Sequence, residues 1–292
     1  MRRIFKYLLV LSLAALLLAG LVLAGLLYRR LRRPPAPVIV PRAEETIQIP
    51  EGRTSRDIGQ YFERLGKWQS EEFLEVAGFP QVDYRQAKDL PPLKDRSAEF
   101  DFLADKPKYY GLEGYLFPDT YRIYASSTVP EVIDKMLGNF GQKLTPQLRA
   151  EIKAQGKTIY EIVTMASLIE KEAPLDYQQN DNRDARIISG IFWDRLKIGQ
   201  PLQSDATLSY ILNDNQPSHS GKDLEVDSPY NTYRHRGLPP GPICNPGLLA
   251  IEAAIYPLST DYNYFLTPPD KPEVIYARTY EQHLQNKYKY LK

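Results

Sequence analysis

Residues 7–28 carry no charged side chain, and the run LLVLSLAALLLAGLVLAGLL inside them narrows what the chain can become more than any other stretch. It matches the roughly 20 apolar residues that one α-helix needs to cross a bilayer. A cleavable signal has a shorter apolar region, about 7 to 15 residues, so the run reads as an uncleaved anchor. Gly20 and Gly25 are tolerated there, as in many membrane helices. Arg2, Arg3 and Lys6 precede the run, and Arg29, Arg30, Arg32 and Arg33 follow it. With positive charge at both ends, the charge bias leaves the orientation open.

The other 260 or so residues have to fold outside that helix, and 43% hydrophobic content supplies a sizeable core. Lys plus Arg and Asp plus Glu nearly cancel to a net charge of +1, which gives no field for nucleic acid. Cys244 is the single cysteine, so no internal disulfide can form. His219, His235 and His283 show no metal-ligand spacing, and neither a metal nor another cofactor is expected.

Pro34, Pro35, Ala36 and Pro37 form a stiff spacer after the anchor. TIQIP at 46–50 reads as a strand and Glu51-Gly52 as a turn. Residues 54–65 read as a helix with Ile58, Phe62 and Leu65 on one face, and Ser70 caps a short helix ended by Gly78. Residues 83–108 are polar and proline-bearing, as a connection is. LEGYLFPDTYRI, 112–123, suggests a strand approaching a turn at Pro118 and Asp119. Thr128 with Glu131, and Thr145 with Pro146, open helices carrying Val132, Met136 and Phe140, then Leu148 and Ile152.

Residues 158–174, TIYEIVTMASLIEKEAP, place an acid where apolar residues are expected. Thr158 and Glu161 form a capping-box pattern, Pro174 ends the helix, and Ile159, Ile162, Val163, Ala166 and Ile169 keep helical rhythm. Glu170 lies four residues after Ala166, on or beside the stripe. A carboxyl held against apolar surface has its charged form disfavoured and becomes a general acid; the alternative is an edge carboxylate that reaches water in the last turn. Glu172, nearly opposite, is expected in solvent. A helix over 182–198 with Ile188, Ile191 and Phe192 inward follows, ended by Gly199. Asp205 stands before ATLSYIL as an N-cap or a ligand contact. Residues 228–247 form a long loop made rigid by Pro239, Pro240, Pro242 and Pro246. Asn245 and Pro246 then cap a helix to Tyr256, and 264–266 and 274–277 read as closing strands.

Taken in order, LEGYLFPDTY, ASLIEKEA, ISGIFWDRLKIGQPLQSDATL, SPYNTY and GLPPGPICNPG resemble the endolytic murein transglycosylases, the MltG or YceG-like family, over nearly the whole chain. The resemblance implies an α+β protein with an N-terminal transmembrane helix, a small LysM-like α+β domain and a mixed α+β catalytic domain. Residues 1–33 would be cytoplasmic N-terminus and anchor, 34–44 linker, 45–108 the LysM-like domain and its connection, and 109–292 the catalytic domain. The anchor would sit in the inner (plasma) membrane with the catalytic domain outside the cytoplasm. Peptidoglycan glycan strands would be the substrate, membrane lipid would surround the anchor, and peptidoglycan synthases are candidate partners. The family's catalytic glutamate matches Glu170. SDAT and PICNPG depart mildly from TDPT-like and AIxNPG forms, which bears only on fine substrate contacts.

A lytic transglycosylase, as the resemblance implies, uses one carboxyl. It protonates the oxygen between N-acetylmuramic acid and N-acetylglucosamine, then removes the sugar's own 6-hydroxyl proton to leave a 1,6-anhydro end. Gln203, Asp205, Asn231 and Thr232 can hydrogen-bond the glycan, and Tyr115, Tyr230 and Tyr233 can stack on its rings; their structural alternative is caps and core-edge tyrosines. Other readings are a wall-binding or scaffold protein without turnover and a two-carboxylate hydrolase using Asp205 or Asp119. A nucleophile at Ser167 or Cys244 lacks a histidine partner.

Overall fold

The computed structural model describes residues 2–31, 42–214, 216, 218–268 and 273–291, so the spacer at Pro34, Pro35, Ala36 and Pro37 lies outside the described residues. The chain divides into two units, Met1–Ala43 and Glu44–Lys292. In the first, α1 (Arg2–Leu31) buries no residue. Among the described residues it is the helix long and apolar enough to cross a membrane.

The second unit is a mixed α+β structure. β1 (Glu44–Ile49) turns Ile47 and Ile49 inward. Gly52 then takes φ +72, a backbone conformation that glycine adopts most readily. α2 (Ser55–Arg64) opens on a reciprocal capping box between Thr54 and Asp57 and buries Ile58 and Phe62. Leu65, expected on the same face, is 48% exposed because the helix stops one residue before it. α3 (Ser70–Ala77) has Gln69 in the cap position, with Ser70 already inside the helix. The connection that follows is polar, yet a 3-10 turn at Asp101–Leu103 drives Phe102 against Phe140, 4.9 Å between ring centroids.

β2 is Asp119–Tyr124, so the strand expected before Pro118 lies after it. Residues 112–118 instead form turns whose backbone amides are taken by a distant side chain described below. β2 pairs antiparallel with β1, Glu44 opposite Tyr124 and Ile49 opposite Asp119. Residues 45–108 and 109–292 therefore share a two-stranded sheet. α4 (Val129–Lys143) and α5 (Pro146–Ala154) begin at Thr128 and Thr145, as their cap signals indicate.

α6 (Ile159–Glu172) is the centre of the core. Its capping box at Thr158 and Glu161 forms, but every residue from Ile162 to Ile169 is buried, Thr164 and Ser167 included. α7 (Arg183–Lys197), α8 (Asp205–Leu212) and α9 (Leu248–Ile255) pack around it. Ser167 Oγ donates to Thr164 O at 2.8 Å and accepts from Ile243 N at 2.9 Å, while Cys244 Sγ faces Ser167 O. Both side chains are packing elements. β3 (Tyr264–Leu266) and β4 (Ile275–Ala277) pair antiparallel, and α10 (Tyr280–Tyr290), a helix the sequence reading did not contain, closes the chain.

Candidate active site

The last turn of α6 presents Glu170 to a small ring of groups from other elements. Its Oε2 accepts the phenol of Tyr177 at 2.5 Å and the backbone N–H of Gly247 at 3.0 Å. Gly247 holds the N-cap position of α9, so that amide is one of the donors a helix start leaves free, and it meets the carboxylate at the positive end of the helix dipole. Oε1 has no hydrogen-bond partner among the described residues and lies beside Gly52. A Cβ on Gly52 would stand 3.5 Å from Glu170 Cγ and 3.8 Å from Oε1, against the face of the carboxyl that remains open. Gly247 is more tightly constrained, since a Cβ there would come within 2.4 Å of the Tyr177 phenol oxygen.

Burial pushes the Glu170 carboxyl up to about 7 against the hydrogen bonds from Tyr177 and Gly247, with nearby Glu51 adding to the rise and Lys171 opposing it. Desolvation wins because removing a carboxylate from water costs more than two donors return. Tyr177 is itself pushed far up by burial and by Glu170, which keeps the phenol protonated as a donor. The result is a carboxyl that exchanges a proton near neutrality, with one oxygen fixed and the other free.

Glu172 is only partly exposed. α8 covers the side of α6 opposite Glu170, and Glu172 Oε1 accepts a short hydrogen bond from Ser204 Oγ. Burial raises its pKa, Ser204 opposes the rise and Asp205 reinforces it. Ser204, not Asp205, is the N-cap residue of α8, and its N–H donates to Thr232 Oγ1 at 3.0 Å. Asp205 opens the helix and accepts from Tyr233 Oη at 2.8 Å. Gln203 is exposed with φ +53.

The remaining sugar-contact candidates are interior. Asn231 is fully buried; its Nδ2 donates to Leu224 O and Val226 O, and its Oδ1 accepts from Tyr233 N at 3.0 Å, so it fastens the loop to itself. Thr232 is buried against Ser204 and Thr207. Tyr230 packs on Tyr210, 5.3 Å between centroids. Tyr115 is 0% exposed between Phe102 and Phe140 and has no face left for a sugar. The structure thus makes two clusters on α6's last turn. One joins Glu170, Tyr177 and Gly247; the other joins Glu172, Ser204, Asp205, Thr232 and Tyr233. Asn231 reaches neither carboxyl. Asp119 bonds Asn139 and Thr120 and has no contact with Glu170.

Asn245, expected to cap α9, does something else. Its Oδ1 accepts from Gly114 N at 2.9 Å and Leu116 N at 3.0 Å, and its Nδ2 donates to Arg53 O at 2.9 Å and Glu113 Oε1 at 3.0 Å. Its backbone exchanges further bonds with Arg53 O and Gly52 N. The Asn-Pro-Gly turn that delivers the Gly247 amide is thereby clamped on every side. Glu113 also accepts from Ser55 N at 2.9 Å, and burial lifts its carboxyl to about 8. Tyr177 carries no sequence signal; Glu113, Asn245 and Gly247 lie inside recognisable motifs, but their partners are far away in the chain. Among the described residues no group of three or more His, Cys, Asp or Glu stands together to hold a metal.

Residues 24–289 match the YceG-like family. An endolytic murein transglycosylase of Bacillus subtilis (strain 168) is 40% identical over 180 residues, 62% of this chain and 48% of the relative. One of Streptococcus pneumoniae serotype 2 is 34% identical over 260 residues, 82% of this chain and 44% of the relative. The chain therefore spans about half the length of the curated relatives it matches. A 2.6 Å crystal structure of a YceG-like protein from Listeria monocytogenes superposes with a TM-score of 0.68 at 33% identity, covering 83% of this chain and 76% of that one.

Proposed function

Because the chain belongs to the YceG-like family, we propose that it is an endolytic lytic transglycosylase that cuts peptidoglycan strands between N-acetylmuramic acid and N-acetylglucosamine, with Glu170 as both acid and base. The observation that carries this reading is the state of Glu170. It is a carboxyl lifted to about 7 by burial, held through Oε2 by Tyr177 and Gly247, with Oε1 open.

Protonated Oε1 gives its proton to the glycosidic oxygen as the C1–O bond breaks, and the departing N-acetylglucosamine leaves as an alcohol. The muramyl acetamido group steadies the cationic C1. Glu170, now a carboxylate, takes the proton of the same sugar's 6-hydroxyl, O6 bonds to C1, and a 1,6-anhydro end results without water. The donors at Oε2 favour the carboxylate left after the first transfer, while burial favours the acid before it, so one group serves both steps. Cleavage within nascent strands would end their elongation. Gln203, Asp205 and Tyr233 remain as glycan contacts at the surface side of the second cluster.

α1 anchors the chain in the plasma membrane as a single pass, which the uncharged stretch 7–28 supports, and the Glu44–Lys292 unit lies outside the cytoplasm, where a murein substrate of the kind its relatives are named for is built. Residues 109–292 act as the catalytic part and 45–108 as a LysM-like part that helps hold the glycan, and peptidoglycan synthases are the partners such an activity would serve. The test is product mass. Full-length protein in detergent, given uncross-linked glycan strands, should release fragments ending in anhydro-muramic acid. Fragments heavier by one water would mark a hydrolase, and none at all would mark a binding or scaffold protein.

A further inference from the structure

Beside the last turn of α6 lies a groove of about 180 Å³ for which the chemistry above has no use. Arg56, Asp57 and Gln60 of α2 form one wall, Ser209 of α8 and Asp214 just after it form another, and Lys171 of α6 stands between them. The acids in this groove are already engaged. Asp57 Oδ2 accepts from Thr54 N at 2.9 Å in the capping box, and Asp214 Oδ1 faces His219 Nε2 at 3.2 Å. Neither Arg56 nor Lys171 makes a hydrogen bond or ion pair among the described residues; their charges act only at longer range, on Glu113 and on Glu170.

Guanidinium and ammonium groups from different helices, open to one polar groove, suit a ligand with more than one carboxylate. The position adds to this, because Lys171 adjoins Glu170 in the chain, so whatever the groove holds is near the scissile bond. On a murein strand the sugars offer hydroxyls and acetamides, and carboxylates occur only on the peptide attached to the lactyl group of the muramyl unit. We propose that this groove between α2, α6 and α8 is a subsite for that acidic peptide stem, Arg56 and Lys171 pairing its carboxylates while Gln60 and Ser209 bond its amides. The proposal rests on the glycan-cleaving reading and deepens it. The enzyme would choose muramyl units that still carry their peptides and pass over stretches already stripped of them.

The test compares wild type with Arg56→Gln/Lys171→Gln, both as full-length protein in detergent, on strands bearing stems with free carboxylates and on strands stripped by an amidase and then capped as methylamides at the lactyl carboxylates that the amidase frees. The ratio of kcat/KM on stem-bearing to stripped strands should fall about tenfold in the double variant, chiefly through KM, as expected for two solvent-accessible charge-assisted contacts. Thermal denaturation reports that the variant is folded, and the stripped-strand rate in the ratio absorbs any effect of losing the Lys171 charge beside Glu170. An unchanged ratio would overturn the subsite. Binding of a soluble disaccharide-peptide with free stem carboxylates is measured in parallel, so the groove is judged even if wild type cleaves neither substrate. Weaker binding by the double variant supports the groove while the cleavage reading fails, and equal binding overturns the groove itself.

Discussion

Glu170→Gln should lower the rate of anhydro-product release by about 10³-fold while leaving affinity for glycan strands nearly unchanged. The amide keeps the shape of the carboxyl and can still accept from Tyr177 and Gly247, but it has no proton to give and cannot take one back. Because the acid must enter the reaction protonated, kcat/KM of the wild-type protein should be flat below about pH 7 and fall above it, following the raised Glu170 value. Release of anhydro ends by the variant at the wild-type rate would remove Glu170 from the chemistry.

Asn245→Ala should cost about 2–6 kcal/mol of stability. The loss of Oδ1 leaves the buried amides of Gly114 and Leu116 without an acceptor, at about 1–3 kcal/mol each. Glu113 and Arg53 O lose a donor, although both keep another. For a folded unit of this size the loss corresponds to a drop in Tm of roughly 5–15 °C, read from thermal denaturation of the full chain. Activity should fall further than the Tm alone implies, because the same turn carries the Gly247 amide to Glu170. A Tm within a degree or two of wild type would show that this clamp is not what holds the turn.

Much of the local structure was legible because its causes are local. The cap signals at Thr128 and Thr158 mark helix starts within a few residues, and the structure forms both capping boxes. The anomaly of Glu170 was also legible, since an acid on an apolar stripe is a local pattern. Its neighbour was not. A helical wheel places Glu172 opposite Glu170, but it cannot tell a face covered by water from one covered by α8, and here α8 covers it. The tyrosines failed for a related reason. Tyr115, in a segment that reads as a strand, and Tyr230, in the long loop, both suit a sugar face by type, yet their rings fill the core, and nothing within a few residues distinguishes the two outcomes.

Asn245 shows the limit most clearly. Asn before Pro at a helix start is a sound local cap signal, but the side chain serves amides some 130 positions earlier, and α9 takes Gly247 as its cap instead. Pairing of β1 with β2 is long-range in the same sense, joining residues 44–49 to 119–124 across the expected domain boundary. Residues whose partners are distant in sequence carry the architecture around Glu170, whereas its position beside the apolar stripe of α6 is a local pattern that left a solvated carboxylate open.

In the proposed function one partly buried carboxyl, poised near neutrality, performs both proton transfers. The direct measurement is a titration of the Glu170 carboxyl carbon in the full chain labelled with ¹³C-glutamate, its resonance assigned by its disappearance in Glu170→Gln. A midpoint near 7 is the predicted result. A midpoint near the ordinary glutamate value of 4.5 would contradict the account, because a carboxyl ionised throughout the neutral range has no proton to donate to the glycosidic oxygen.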